Sequence, residues 1–423
     1  MSVRIQARRL IPGRGEPVPD GVVVLDGGSI AYAGPAAEAP PDGTGETVQV
    51  DTVLPGLWDC HTHLIGIRSA DLSTLYREPV ALRVSRAVRD LEAALDAGFT
   101  SVREAGGFGA LIAPAVTEGT LEGPRIYGAG AALSVTGGHG DLNDVPLPWV
   151  HDLSRWEPMV RTCDGVDACI AAVREQLRSG AEVIKVCASG GVVSERTDPR
   201  HQGFTRAELD AIVEVARLAE RAVMAHAHGK AGMLAAIEAG VHTIEHGTYL
   251  DDEVCSAMVE RGVMLVPTRL IVGDLRAGGT VSGLSQAMYD KIVAIDETHA
   301  SAVALAHEAG VRIALGTDVL GSGPQAPAAW GTNGRELGLL VEAGLTPLEA
   351  IEAGTAAGPE TLGPRAPRSG RLAAGYDADV IAVDGDPTVD VTVLADPSDI
   401  THVWVGGVQV RPRAGGTTTD GRR

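Results

Sequence analysis

Eight short apolar segments with the pattern of β-strands alternate with helix-period segments through the middle of the chain. The strand candidates are residues 57–63, 99–104, 125–129, 183–186, 222–226, 243–246, 263–267 and 311–317. Helical periodicity appears between them, for example at residues 84–97, 166–179, 206–221, 231–239 and 288–309. Such alternation predicts an α/β fold with right-handed βαβ units and parallel strands. Eight units in about 300 residues favour a closed (β/α)8 TIM barrel over an open doubly wound sheet. No GxGxxG follows the first strand candidate, which disfavours a dinucleotide-binding fold.

The two ends of the chain have a different pattern, with short β segments separated by Gly and Pro. These segments are residues 3–7, 21–25 and 30–33 near one end and 371–372, 378–383 and 402–410 near the other. Because chain termini often lie close together, we expect both sets to pair into one small β-sandwich. The predicted domains are residues 1–56 plus 366–415 for the sandwich, 57–365 for the barrel and 416–423 for a disordered tail.

The charge and cysteine content exclude several classes of protein. The formal net charge is -20, which opposes non-specific binding to nucleic acid and to an anionic membrane. We expect no membrane span, since no apolar run of about 18 residues is present. We also expect no secretory signal, since residues 1–12 contain several arginines and no apolar segment. The expected location is therefore cytoplasmic. The five cysteines are scattered without CxxC spacing, so we expect neither a disulfide framework nor a cysteine zinc site.

Side chains that can hold a metal ion lie at the ends of five strand candidates. They are His61, His63, Lys185, His226, His246 and Asp318. His61 and His63 are two residues apart on a strand and share one face, whereas Cys60 points to the other face and is expected to pack. The carboxyl ends of barrel strands are the place where barrel enzymes carry their chemistry. Imidazole and oxygen donors together suit Zn, Mn, Co or Fe(II), with zinc favoured.

The order of these residues resembles that of the amidohydrolase superfamily. Longer motifs resemble one branch of it, the Xaa-Pro dipeptidase/carboxypeptidase-like (prolidase-type) enzymes, which includes ochratoxinase-like members. The motifs are TGGHG at 136–140, KVCASGG at 185–191, HAHG at 226–229, IEHGT at 244–248 and GTNGREL at 331–337. The resemblance extends through almost the whole chain. It implies a hydrolase with two divalent metal ions, zinc being favoured, held by the six residues above.

The resemblance also assigns a role to Lys185. An ammonium group has no lone pair and cannot ligate a cation, but in the family this lysine reacts with CO2 and its carbamate bridges the two metals. The alternative is a surface lysine with its amine in water, which the apolar neighbours Val183, Ile184 and Val186 disfavour.

Asp318 is, by the same resemblance, both a metal ligand and the general base. Two cations about 4 Å apart lower the pKa of a shared water and supply hydroxide at neutral pH. Asp318 would take the proton from this nucleophile and pass it to the leaving amine. The alternative is a helix N-cap, which the glycines at 321 and 323 disfavour.

Five residues are candidates for substrate contact: His139, His228, Tyr249, Arg269 and Trp330. His228 shares a face with His226 if the strand continues, and would contact substrate or stabilise an oxyanion as a catalytic residue; the alternative is a core histidine. His139 lies in a Gly-rich loop, where it would contact the substrate or stabilise the turn.

The other three candidates follow later strands. Arg269 would clamp a substrate carboxylate or form a salt bridge on the rim, and Tyr249 is a comparable candidate. Trp330 stands where relatives often carry histidine before glycine, so specificity is expected to differ from that of the peptide-cleaving members. Its indole would offer the leaving group an apolar surface or pack under the loop.

Together these features indicate a metal-dependent amide hydrolase that cleaves the amide bond to a C-terminal amino acid. The partner would be a small-molecule amide or dipeptide, and the resemblance implies a homo-oligomer. One alternative is a xenobiotic or toxin amide or carbamate, of the ochratoxin type. A non-catalytic scaffold is disfavoured because all six ligand positions are filled. Imidazolone ring openers usually lack the bridging lysine.

Overall fold

A computed structural model describes residues 2–41 and 45–413 of the chain. Its strands are β1 (Ser2–Leu10), β2 (Val18–Asp26), β3 (Ser29–Pro35), β4 (Glu46–Pro55), β5 (Leu57–Ile67), β6 (Phe99–Glu104), β7 (Arg125–Gly128), β8 (Ala132–Ser134), β9 (Val160–Thr162), β10 (Val183–Cys187), β11 (Ala222–Ala227), β12 (Thr243–His246), β13 (Met264–Val266), β14 (Val319–Gly321), β15 (Val380–Val383), β16 (Ile400–Val405) and β17 (Val408–Arg411). Its α-helices are α1 (Thr74–Arg77), α2 (Val80–Asp96), α3 (Gly109–Thr117), α4 (Leu147–Leu153), α5 (Val166–Arg178), α6 (Arg206–Leu218), α7 (Lys230–Ala239), α8 (Asp252–Arg261), α9 (Arg269–Gly278), α10 (Gln286–Glu308), α11 (Arg335–Glu342) and α12 (Pro347–Ala353). The predicted tail at 416–423 lies outside the described residues.

The strands in the middle of the chain form two parallel sheets. Their orders are β14-β5-β6-β7 and β13-β12-β11-β10-β8-β9. Glu182 N, just before β10, donates to Gly128 O of β7 over 2.9 Å and joins the two sheets. The segment 311–317 joins them a second time, because Cys60 N of β5 donates to Leu315 O over 2.8 Å and Ala314 N donates to Leu265 O of β13 over 2.9 Å. Every residue of β5, β6, β10, β11, β12 and β13 is buried, as in parallel strands covered on both faces. The prediction of an α/β chain with parallel strands is confirmed.

The five predicted helices are present as α2, α5, α6, α7 and α10, with ends shifted by a few residues. The start of α6 coincides with its prediction, because Thr205 and Glu208 form a capping box that satisfies free N–H groups of the first turn. No helix in ranges 2–41 and 45–413 is long and apolar enough to cross a membrane.

The last predicted strand of the series, at 311–317, was wrong in its extent. The structure has a strand only at β14, and residues 311–317 contribute an isolated bridge between Ile313 and Leu265. The segment is divided between partners, because Ala314 N donates to Leu265 O whereas Leu315 N donates to Ala353 O. Strands β8 and β9, of three residues each, were not predicted because so short a run carries no readable period.

The two ends of the chain join in one sheet of seven strands, ordered β17-β16-β15-β4-β1-β2-β3. β15 pairs antiparallel with β4, so that Ile381 lies opposite Leu54. Side chains of this sheet form an apolar core of their own, which includes Ile5 of β1, Val23 of β2 and Trp404 of β16. The predicted pairing of both ends is confirmed, although residues 371–372 are not a strand. The division into two domains and the sandwich arrangement stay predictions.

Candidate metal centre and substrate cavity

One cavity brings together all six predicted metal ligands. The polar residues that line it are His61, His63, His139, Lys185, His226, His228, His246 and Asp318. They come from β5, the loop between β8 and α4, β10, the end of β11, the end of β12 and the residue before β14. Parallel pairing of these strands brings residues that are far apart in sequence into one site.

The first group of ligand atoms in the cavity belongs to His61, His63 and Asp318, which lie within 4.8 Å of one another. The Nε2 atom of His63 is 3.1 Å from Asp318 Oδ1, and that of His61 is 3.6 Å from the same oxygen. Lys185 Nζ lies 3.3 Å from His61 Nε2. The backbone holds the aspartate in place, since Asp318 N donates to His61 O over 2.7 Å.

The second group consists of His226, His228 and His246, also with ligand atoms within 4.8 Å. The rings of His226 and His246 are 4.6 Å apart between centroids, and His246 is 5.0 Å from His61 of the first group. The two groups of ligand atoms are therefore neighbours in one site. His228, which we expected to contact substrate, shares this group with two expected ligands.

Hydrogen bonds fix the orientation of the imidazole rings. The Nδ1 atoms of four histidines have acceptors close by: His61 with Glu245 Oε2 at 2.7 Å, His63 with Gly106 O at 2.8 Å, His228 with Thr248 Oγ1 at 2.7 Å and His246 with Thr268 Oγ1 at 2.7 Å. His226 is turned the other way, with Nε2 3.2 Å from Gly190 O. One nitrogen of each ring is thus occupied and the other is free to ligate, as in protein metal sites. The residues fit divalent metal ions.

Burial sets the charge of the site. It lowers the pKa of His61 to about 4, with Lys185 acting in the same direction, and lowers the pKa of His226 and His246 well below the usual value. These imidazoles are neutral at pH 7, the form that ligates metals. Burial alone would raise the pKa of Asp318, but His61 and His63 outweigh it and bring the pKa to about 2. Desolvation lowers the pKa of Lys185.

Three residues of the site have left-handed backbone. The φ angles are 72° at His246, 55° at Thr268 and 63° at Asp318. This region is uncommon for residues other than glycine, and such strain clusters at functional sites. Of these residues, His246 ends β12 and Asp318 directly precedes β14, and both line the cavity. No feature of the sequence indicated it.

The structure separates the five substrate-contact candidates. His139 and His228 line the cavity, but Tyr249, Arg269 and Trp330 are not among the lining residues. Arg269 donates to Asp296 Oδ1 over 2.8 Å, the salt-bridge alternative. Trp330 is buried, and its Nε1 donates to His63 O over 3.2 Å, so it packs beneath the ligand strand. Tyr249 packs against an apolar cluster.

The walls above the ligands are apolar. One wall contains Ile65, Leu72, Leu142, Met159 and Val160, and the facing wall contains Val192, Ile271, Val272, Leu275 and Ile292. Lys185 is the one lysine or arginine among the lining residues that the structure describes. A neighbouring cavity shares His139 with the first and adds three carboxylates, those of Asp71, Asp144 and Glu195.

Several buried polar residues that sequence reasoning missed support the ligands. The carboxylate of Asp59 accepts hydrogen bonds from Thr317 Oγ1 over 2.6 Å and from Asn333 Nδ2 over 2.7 Å. These contacts connect β5 to the segment that leads to Asp318. The GTNGREL motif was noted for the resemblance alone, and its asparagine has this structural role. The available signal for Asp59 was a carboxylate within the strand candidate 57–63, two residues before His61, since a polar group in a buried strand needs hydrogen-bond partners.

Glu336, in the same motif, anchors the start of α9. Its two carboxyl oxygens accept from Arg269 N over 2.8 Å and from Leu270 N over 2.7 Å, and the residue is fully buried. Glu336→Ala leaves both N–H groups without acceptors, so we expect the free energy of unfolding to fall by about 2–4 kcal/mol. Urea unfolding measures this. Glu342→Ala, on the exposed face of the same helix, should change it by less than about 0.5 kcal/mol. Equal losses in the two variants would contradict the assignment.

Comparison with known proteins agrees with this geometry. The amidohydrolase family matches residues 52–410. An ochratoxinase of Aspergillus niger is 41% identical over 422 residues, covering 95% of this chain and 85% of the relative. The crystal structure of A. niger ochratoxinase superposes with a TM-score of 0.89 at 40% identity, over 96% of this chain and 95% of that one.

Solved prolidase-type structures are also similar. A prolidase in complex with N-methylphosphonate-L-proline has a TM-score of 0.89 at 32% identity and covers 97% of this chain and 99% of its own. A Xaa-Pro dipeptidase with bound methionine has a TM-score of 0.83 at 30% identity, over 97% and 99% of the two chains. With the match over residues 52–410, these similarities show that the chain belongs to the amidohydrolase family and is a hydrolytic enzyme that acts on amide bonds.

Proposed function

We propose that this enzyme holds two divalent metal ions, with zinc favoured, and cleaves the amide bond to a C-terminal amino acid with an apolar side chain. One observation carries the proposal: two adjacent groups of ligand atoms share a single cavity, and each ring in them has its second nitrogen occupied by a hydrogen bond. Such oriented, neutral imidazoles are what a metal centre requires.

We also infer that the two parallel sheets make up one (β/α)8 barrel. The backbone hydrogen bond from Glu182 to Gly128 supports this, and so does the segment 311–317, which bonds to β5 through Cys60 and Leu315 and to β13 through Ala314 and Leu265. The metal centre would then lie at the carboxyl ends of the barrel strands, the usual position of active sites in such barrels.

Lys185 would bridge the metals as a carbamate. The amine nitrogen attacks the carbon of CO2, an N–C bond forms, one C=O electron pair moves to oxygen, and the amine loses a proton to solvent. Only a neutral amine has the lone pair for this step, and desolvation lowers the pKa of Lys185. The chain has three lysines among 35 basic residues, and an arginine at this position could not form the carbamate.

The hydrolytic step would rest on groups that face the cavity. Bound divalent cations would lower the pKa of a water molecule and polarise the amide carbonyl. Asp318, ionised because its pKa is about 2, takes the proton from that water and delivers it to the leaving amine. His228 and His139 would contact the substrate. His139 Nδ1 supports this role, because it is buried without a hydrogen-bond partner in ranges 2–41 and 45–413.

The shape and polarity of the cavity support an apolar group next to the scissile amide. Burial of a hydrocarbon or aromatic side chain against apolar walls makes the free energy of binding more favourable, whereas burial of a charge there makes it less favourable. Similarity to Xaa-Pro dipeptidase and prolidase structures supports an amide to a C-terminal amino acid. A xenobiotic or toxin amide is the second candidate, favoured by 41% identity to an ochratoxinase.

Metal analysis joined to a substrate panel tests the proposal. We expect about two divalent metals per chain, and turnover of N-acetyl-phenylalanine or N-acetyl-leucine at least about tenfold faster than of N-acetyl-aspartate. A chelator should abolish turnover, and added zinc should restore it. An ochratoxin-type amide as the single turned-over compound would favour the second candidate. A folded protein that takes up no metal would contradict both.

A further inference from the structure

A fully buried ion pair lies directly behind the ligand strand. Arg103 of β6 and Glu245 of β12 are both 0% exposed. The guanidinium donates from Nη2 to both carboxylate oxygens, over 2.8 and 2.9 Å. Its Nε donates to Cys60 O over 2.6 Å, one residue before His61. Arg103 therefore holds the carboxylate of one strand and the backbone of another at once.

The carboxylate is saturated with donors. Besides Arg103, Thr243 Oγ1 donates to Oε1, and Oε2 lies 2.7 Å from His61 Nδ1. A carboxylate oxygen carries no hydrogen and can only accept, so the His61 ring donates to Oε2. His61 therefore carries its proton on Nδ1 and has its lone pair on Nε2. That Nε2 atom faces Lys185 Nζ at 3.3 Å.

We propose that Arg103 and Glu245 are positioning residues that lock His61 in the Nδ1–H tautomer and thereby set the affinity of the centre for metal. The inference rests on the proposed function, since it assumes that metal binds at His61. It assigns a role to two residues that neither touch the cavity nor belong to the expected ligand set. A carboxylate behind a ligating imidazole is known to strengthen metal binding.

The inference can be tested by one substitution that changes the tautomer of His61. In Glu245→Gln, Arg103 retains the amide carbonyl oxygen as its acceptor, which turns the amide NH2 group towards His61. Nδ1 must then accept, so the proton moves to Nε2 and the ligating lone pair is lost. The side chain keeps its size, but the amide also loses the negative charge and one of the two contacts with Arg103, so a control must lose a buried ion pair in the same way.

The chain offers a matched control. Arg83 and Glu157 form a second ion pair with both side chains 0% exposed, and it contacts none of the expected ligands. Glu157→Gln thus weakens a buried pair of the same kind at a similar cost in stability. An effect on metal binding that is specific to Glu245→Gln is therefore not a general effect of opening a buried ion pair.

Metal affinity is measured on the purified full chain by competition with a chromogenic zinc chelator. We expect Glu245→Gln to weaken binding of one of the two zinc ions about 10- to 100-fold, and Glu157→Gln to leave both affinities within about threefold of the wild type. Equal affinities in the two variants would overturn the inference while the proposed function stands. A wild-type chain that binds no zinc would overturn both.

A milder variant covers the case in which Glu245→Gln does not fold. Arg103→Lys keeps the cation but loses the two-point contact with the carboxylate, so its affinity for the weakened ion should lie between those of the wild type and Glu245→Gln. An unchanged affinity would overturn the inference. Nitrogen-15 shifts of the His61 ring in metal-free protein give a readout that needs no metal: Nδ1–H in the wild type and Nε2–H in Glu245→Gln.

Discussion

Replacing Lys185 with alanine is expected to lower kcat/KM about 1000-fold, which corresponds to about 4 kcal/mol of lost transition-state stabilisation. The residue is buried in the cavity, 3.3 Å from His61 Nε2, and on our proposal it supplies the group that bridges the two metals. Without that bridge the metal content should fall below two ions per chain. Steady-state kinetics with N-acetyl-phenylalanine and metal analysis of the same preparation measure both effects.

Small carboxylic acids provide a rescue experiment for Lys185→Ala. The alanine variant leaves space for a short carboxylate. If the carbamate acts as a bridging carboxylate, about 50–100 mM propionate should raise the kcat/KM of the variant at least about tenfold. Lys230→Ala is the matched control, because this lysine pairs with Asp251 and Glu253 on the surface and should retain wild-type rates within about twofold. Two bound metals and unchanged rates in Lys185→Ala would contradict the bridging role.

Asp318→Asn is expected to lower kcat/KM by about 100- to 10,000-fold, the usual contribution of a general base. Asparagine has nearly the same size and tolerates the left-handed backbone at this position, where φ is 63°. The loss should therefore reflect chemistry and not unfolding, and circular dichroism together with urea unfolding checks this.

The pH dependence of Asp318→Asn separates two explanations. The pKa of Asp318 is held near 2 by His61 and His63 against the effect of burial. A group with a lowered pKa stays ionised at every pH above that value, so the carboxylate can accept a proton throughout the neutral range. The ratio of wild-type to variant kcat/KM should then be constant from about pH 6 to 9. A ratio that approaches one within that range would contradict the assignment of Asp318 as the base.

The sequence was sufficient for the parts of this protein that depend on local pattern. Alternating apolar segments predicted parallel strands and five helices, because hydrophobic periodicity and helix capping depend on residues that are close together in the sequence. The ligand candidates were readable for the same reason. Each of them, such as His61 or Lys185, lies in or directly beside an apolar strand segment, and parallel strands bring such segments side by side.

The sequence was insufficient where the backbone departs from regular geometry. Residues 311–317 have the composition of a strand, but their hydrogen bonds are divided between Leu265 and Ala353. For two residues the sequence left alternatives open: a substrate contact or a salt bridge for Arg269, and a substrate contact or packing for Trp330. In the structure Arg269 donates to Asp296 Oδ1 and Trp330 Nε1 donates to His63 O. Which way a side chain points from a loop depends on partners that are distant in sequence.

By itself, the sequence determined the parallel α/β architecture and the set of residues that can hold the metals, since both follow from residue type and short-range spacing. Only the tertiary structure decided which ring nitrogen faces the cavity, how apolar its walls are, and that Arg103 and Glu245 meet behind His61. The physical reason is that these properties arise from hydrogen bonds and packing between residues far apart in the chain, such as His61 and Glu245, which are 184 positions apart.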